Sequence, residues 1–182
     1  MTILSTLNYS HFTKMESLEK EFYNADYITP AHEAFCWYKE HKDSVIAATD
    51  SNEITGFINM FPVSDSVFSK LKSGTFNDRD LKSSDIVDIN SSQNYPFHMF
   101  LSCIVIKKEY QKSGLSRLLL FEAIKRYAHK ESLFDFILAD TVTDDGKRFA
   151  QKYGFVPIFT TDHASTVHIQ SYKDFVFKVT QS

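Results

Sequence analysis

Residues 104–124, IVIKKEYQKSGLSRLLLFEAI, constrain this chain more than any other stretch. Three β-branched residues, Ile104, Val105 and Ile106, stop at two lysines, and a polar turn with one glycine follows. From Leu115 to Lys130, apolar residues including Leu118, Leu119, Ile124 and Tyr127 recur at helical spacing. A strand passing directly into a helix requires a sheet with a helix packed on it. A helix start leaves backbone N–H groups without partners and carries partial positive charge, which makes it a natural anion site. Gly114 lets the backbone approach a ligand or take a positive φ. Ser113 and Ser116 bring hydroxyls; Lys112 and Arg117 bring charge. The stretch suits a phosphate or pyrophosphate, although an ordinary strand-to-helix turn has the same ingredients. It has neither G-x-x-x-x-G-K-[ST] nor G-x-G-x-x-G, so triphosphates and dinucleotides are poorly supported.

The rest of the chain supplies the sheet and its covering helices. KMESLEKEFY (14–23) predicts a short helix with Met15, Leu18 and Phe22 on one face. A second helix is expected from Pro30 to about Lys42, with Thr29 as N-cap and Pro30 in the first helical position. SVIAATD and ITGFINMFPVS read as a hairpin turning at DSNE, and Gly56 inside the second strand suggests a bulge or a close backbone approach. A short helix is expected to stop at Gly74, and residues 75–93 form a long polar excursion of the kind that binds or moves. PFHMFLSCIVIKK and LFDFILADTV read as buried strands, DDGKRFAQKYGF as a helix, and VPIFT and DFVFKVT as terminal strands. The order predicts an α/β plan with a mixed sheet, and residues 1–182 read as one domain.

Composition excludes several classes. With 43% hydrophobic and 24% charged residues the chain is globular, and a net charge of −3 provides no basic field for nucleic acid and no polybasic membrane anchor. No stretch approaches the ~18 apolar residues of a membrane span, and the N-terminus does not read as a secretory signal. A cytoplasmic protein is expected. Cys36 and Cys103 sit in apolar contexts and read as buried free thiols; two cysteines make no metal set, and no metal is expected.

At QKSGLS the sequence resembles the GNAT superfamily of N-acetyltransferases, which bind acetyl-CoA. That family's first signature is a strand, then Gln/Arg-x-x-Gly-x-Gly/Ala, then a helix. Here it is Gln111-Lys112-Ser113-Gly114-Leu115-Ser116, with serine at the last small position. Its second signature, a helix ending in Gly-Phe, corresponds to GKRFAQKYGF with Gly154 and Phe155, and the resemblance spans residues 54–177. It implies a mostly antiparallel sheet splayed at the cofactor strand and flanked by helices. It also implies acetyl-CoA as cosubstrate, an amine acceptor, and the homodimer common among look-alikes. By position, the strand end Ile104, Val105 and Ile106 would pair with the pantetheine arm. The amides from Lys112 through Ser116, Leu115 included, would wrap the pyrophosphate, with Gln111 and Arg117 beside it.

Direct attack of an amine on the thioester needs a neutral amine, a polarised carbonyl and a proton for the thiolate. The tyrosine that many members place four residues before the Gly of Gly-Phe is Ala150 here. Tyr153 lies three residues on, about 300° around a helix, and reads better as core. The positions where the family often holds a strand base are Phe100 and Ser102. His98, two residues earlier on the same strand face, titrates near neutrality and is the candidate base, with Asp88 a weaker one; a packed strand histidine is the plainer reading. The acceptor should meet the N-terminal helices and the loop 72–93, whose acidic residues Asp78, Asp80, Asp85 and Asp88, with the earlier-lying Asp65 nearby, suit a cationic amine or a solvated loop equally. An acyl-CoA-binding module without catalysis is the alternative on the same fold.

Overall fold

The computed structural model describes residues 1–75, 80–91, 96–161 and 164–181; Asp78 of the acidic loop lies outside them. In chain order the strands are β1 (Thr2–Ile3), β2 (Val45–Asp50), β3 (Glu53–Ser64), β4 (Phe97–Ile106), β5 (Phe134–Thr141), β6 (Val156–Thr160) and β7 (Thr166–Ser171). The helices are α1 (Tyr9–Glu19), α2 (Ala31–Glu40), α3 (Asp65–Lys72), α4 (Leu115–Tyr127), α5 (Asp144–Lys152) and α6 (Tyr172–Gln181). The strands form one sheet in the order β1-β2-β3-β4-β5-β7-β6. β4 and β5 are parallel, whereas β1–β2, β2–β3, β5–β7 and β6–β7 are antiparallel. By contact the chain divides into two compact units, Met1–Asn59 with Cys103–Arg126 and Met60–Ser102 with Tyr127–Ser182.

The first unit is built on the β2–β3 hairpin, which turns through Ser51 and Asn52, both at positive φ. Such a pair matches the right-handed twist of the flanking strands. Helices α1 and α2 bury Phe12, Met15, Leu18, Ala31 and Tyr38 with Val45, Ala47, Ile54, Phe57 and Val105. Helix α1 begins at Tyr9, ahead of the expected Lys14. Asn8 caps it, accepting the His11 amide at 3.2 Å while His11 Nδ1 accepts the Asn8 amide at 3.1 Å. Pro30 sits just before α2 rather than in its first turn, and Thr29 does not cap it; Glu16 of α1 accepts the Ala31 amide at 2.8 Å instead. Both expectations at Gly56 hold. The β2–β3 register slips opposite it, between Ala48 and Thr49, and an added Cβ would lie 2.7 Å from Ile106 Cδ1 and 2.9 Å from the Val105 carbonyl. The chain therefore passes against the end of β4 at a distance only glycine allows.

In the second unit, β5 lies between β4 and β7 in the sheet order. The terminal segment corrects the sequence reading. DFVFKVT is not a strand but most of α6, and the strand β7 lies before it, at Thr166–Ser171. Phe175 and Phe177 alternate as in a strand, yet Tyr172, Phe175 and Val179, at helical spacing, are the buried set, and Phe177 is 64% exposed. Phe175 packs against Tyr153 and Phe155 with ring centroids 6.3 and 5.5 Å apart.

Candidate cofactor loop and the groups around it

The end of β4, the loop after it and nearly all of α4 belong to the first unit. The β4–β5 ladder runs from Phe97–Phe134 to Leu101–Ala139, while β4 itself continues to Ile106. The loop is anchored at its base: the Lys107 amide donates to the Thr55 carbonyl at 2.9 Å, and the Tyr110 hydroxyl donates to Asp50 at 2.9 Å. Gln111 Nε2 reaches back to the Ile106 carbonyl at 3.3 Å, and Ser113 Oγ donates to the Tyr110 carbonyl at 2.6 Å. Gln111 and Ser113 therefore spend side-chain donors on holding the turn.

Lys112 (φ +62°) and Gly114 (φ +87°) are both left-handed, either side of Ser113. Left-handed residues alternating with others turn successive N–H groups toward one concavity, an anion-binding arrangement. Helix α4 makes its first backbone bond from the Leu118 amide to the Gly114 carbonyl, at 3.0 Å. The amides of Lys112, Gly114, Leu115 and Ser116 have no acceptor in the protein among the described residues. A Cβ added to Gly114 would meet nothing within 4 Å, so the space at its side-chain position is open. Leu115 itself is buried (1% exposed) and fixes the helix start to the core. The loop thus gathers several backbone donors at a helix start with its positive end potential, the ingredients of an anion site.

His98 belongs to the other unit. It is 2% exposed, its ring stacked on Phe68 at 3.7 Å between centroids and close to parallel with Phe136 at 6.0 Å. Its Nε2 lies 3.2 Å from Asp65 Oδ1, and its buried Nδ1 has no partner among the described residues. Burial lowers its pKa, and the opposing pull of Asp65 does not restore it, so the ring is neutral at pH 7. Ala150 and Phe100 are buried, and Tyr153 (1% exposed) sits in the core beside Phe149 and Phe175. Asp88 is exposed, and its carboxylate binds locally, accepting the Asn90 amide at 2.9 Å and the Ser91 hydroxyl at 2.9 Å.

The thiols depart from expectation. Cys36 is exposed and Cys103 only partly buried. Cys36 lies on the solvent side of α2, opposite Tyr38 and Ala31, because an apolar neighbourhood in sequence does not fix a helical face. Cys103 donates its S–H to Glu19 Oε1 at 3.4 Å. Glu19, the last residue of α1, is 6% exposed, and burial pushes its carboxyl up to about 7, aided by Glu16 and opposed by the thiol hydrogen bond. Tyr23 shares the cluster: burial, then the nearby Cys103 and Glu19, raise its hydroxyl pKa. The sequence reading passed over Glu19. The signal was present, since Met15, Leu18, Glu19 and Phe22 occupy i, i+3, i+4 and i+7, a core face with one carboxyl in it.

Solved structures share this architecture at low identity, which speaks to fold alone. The loading GNATL domain of CurA from Lyngbya majuscula aligns with TM-score 0.65 and 10% identity, over 94% of this chain and 98% of that one. The GphF GNAT-like decarboxylase in complex with isobutyryl-CoA gives 0.64 and 11%, over 94% and 100%. Arabidopsis thaliana NAA60 in complex with acetyl-CoA gives 0.59 and 13%, over 93% and 98%. No curated protein sequence matches the chain. The family model described as acetyltransferase (GNAT) family matches residues 12–155, well over half of the sequence and inclusive of the loop just described, and the chain belongs to that family.

Proposed function

We propose that this protein is an acyl-CoA-dependent N-acyltransferase, with acetyl-CoA the expected donor and an amine the acceptor. The observation that carries the reading is the loop: two left-handed residues, four amides near the start of α4 without an acceptor among the described residues, and open space beside Gly114. Amides of Lys112, Gly114, Leu115 and Ser116 would hold the pyrophosphate, with Arg117 beside it. The backbone of Ile104 and Ile106 would take the pantetheine arm as an added strand, and the side chains of Gln111 and Ser113 would keep the turn in shape. Solved relatives of this fold carry acetyl-CoA or isobutyryl-CoA, which supports a CoA thioester as the ligand. Positioning a neutral amine against a thioester supplies a large share of such a rate. The thiolate needs no strong acid, because a thiol is far more acidic than a hydroxyl. His98 is a proton-transfer candidate in this reading, neutral at pH 7 and held by Asp65.

The test is calorimetric titration of the wild-type protein and Gly114→Glu with acetyl-CoA and with CoA. Micromolar binding, lost in the variant, is expected. A glutamate there would take a strained backbone conformation and put negative charge where the pyrophosphate belongs. No binding to either ligand would overturn the proposal. Binding without turnover of any amine would leave an acyl-CoA-binding module.

A further inference from the structure

The first unit holds a carboxyl that packing does not require. At position 19, on the face formed by Met15, Leu18 and Phe22, a leucine would bury well; a carboxylate there loses its hydration. No Lys, Arg or His pairs with it among the described residues. The neighbouring charges do not relieve it. Glu16, one turn back on α1, repels it while bonding Lys20 and the Ala31 amide, and Tyr23 adds only a hydroxyl. Among the described residues its side-chain hydrogen-bond partner is the S–H of Cys103 on β4. Cys103 immediately precedes Ile104–Ile106, the segment assigned above to the cosubstrate arm.

We propose that Glu19 is the proton acceptor of the transfer reaction, held against β4 by Cys103; the inference rests on the acyltransferase reading above. The acceptor nitrogen attacks the thioester carbon, the N–C bond forms and the C–S bond breaks. The proton released from nitrogen goes to the Glu19 carboxylate, and the electron pair leaves on sulfur. The thiolate is then protonated from solvent, and Glu19 returns its proton to solvent. A carboxyl raised to about 7 by burial is a far stronger base than an exposed one and is still partly ionised at neutral pH. On β4 the positions where the family often holds a base are Phe100 and Ser102, with His98 two residues earlier. Here α1 delivers the carboxyl to that strand from outside it.

The experiment uses the full chain as wild type, Glu19→Gln, Glu19→Asp and, as a surface control, Glu21→Gln. Acetyl-CoA binding is measured by calorimetry, and thioester loss is followed across pH with water alone and with glycinamide as acceptors. Expected are acetyl-CoA affinities within about twofold of wild type, and a fall of roughly 100-fold or more in kcat for Glu19→Gln. An acid limb near pH 7 in the water reaction, where the acceptor does not titrate, should vanish in Glu19→Gln and be partly restored in Glu19→Asp. A wild-type rate and limb in Glu19→Gln would overturn the inference, as would loss of acetyl-CoA binding together with the rate, which marks a structural role. Wild-type binding without thioester loss at any pH would overturn it while sparing the cofactor site. No wild-type binding would overturn the acyltransferase reading as well.

Discussion

Glu19 carries its cost whether or not it reacts, and that cost depends on pH. In the unfolded chain its carboxyl ionises near the ordinary 4.5, whereas in the folded protein it holds its proton to about 7. Its contribution to stability is therefore fully present below about 4.5 and is lost as pH rises through about 7, by up to about 3 kcal/mol. Glu19→Gln has no proton to lose. Urea unfolding of both proteins at pH 4.5 and pH 8 should show the variant gaining on wild type by that order; an unchanged difference between the two pH values would refute the raised pKa. His98 has the opposite sign. Its lowered pKa makes stability fall as pH drops below the unfolded value of 6.5, because the ring must then charge among Phe68 and Phe136. Helical spacing places Glu19 on a core face, but neither shift itself is legible at residue level: a glutamate in a helix and a histidine in a strand are commonplace, and only burial perturbs them.

At the scale of elements, two tests separate pattern from packing. Phe175 and Phe177 are two residues apart in a segment whose alternation suits a strand, but α6 buries one and exposes the other. Phe175→Ala should cost about 3–5 kcal/mol and Phe177→Ala less than about 0.5, both read by chemical denaturation. Equal costs would restore the strand. Gly56 tests the union of hairpin and cofactor strand. Gly56→Ala drives a Cβ onto Ile106 Cδ1 and the Val105 carbonyl, for a cost of about 1–3 kcal/mol and a weaker grip on acetyl-CoA in calorimetry, through displacement of the strand end. An unaltered affinity would separate Gly56 from the cofactor strand's function.

For the whole molecule, a ligand that binds only the folded chain must raise its melting temperature by mass action. At 100 times Kd the gain is about 2.7 kcal/mol, so acetyl-CoA should shift the wild-type Tm by several degrees and leave Gly114→Glu unmoved. An equal shift in both would place the ligand elsewhere. The strand–turn–helix at 104–124, the hairpin at 45–64 and the mixed sheet were all legible, because local propensity, turn chemistry and hydrophobic period agree there. The same agreement exposed the glycine-centred loop and its family likeness. Where two periods fit one segment, as at Phe175 and Phe177, only packing chose between them. Cys36 turned to solvent and Tyr153 to the core by the rotation of their helices. The sequence by itself thus determined the order of elements from α1 to β6 and the glycine-centred turn between β4 and α4, whose geometry is local. Tertiary structure alone decided that Glu19 meets Cys103, 84 residues apart, since a buried carboxyl acquires its chemistry from neighbours that the fold brings to it.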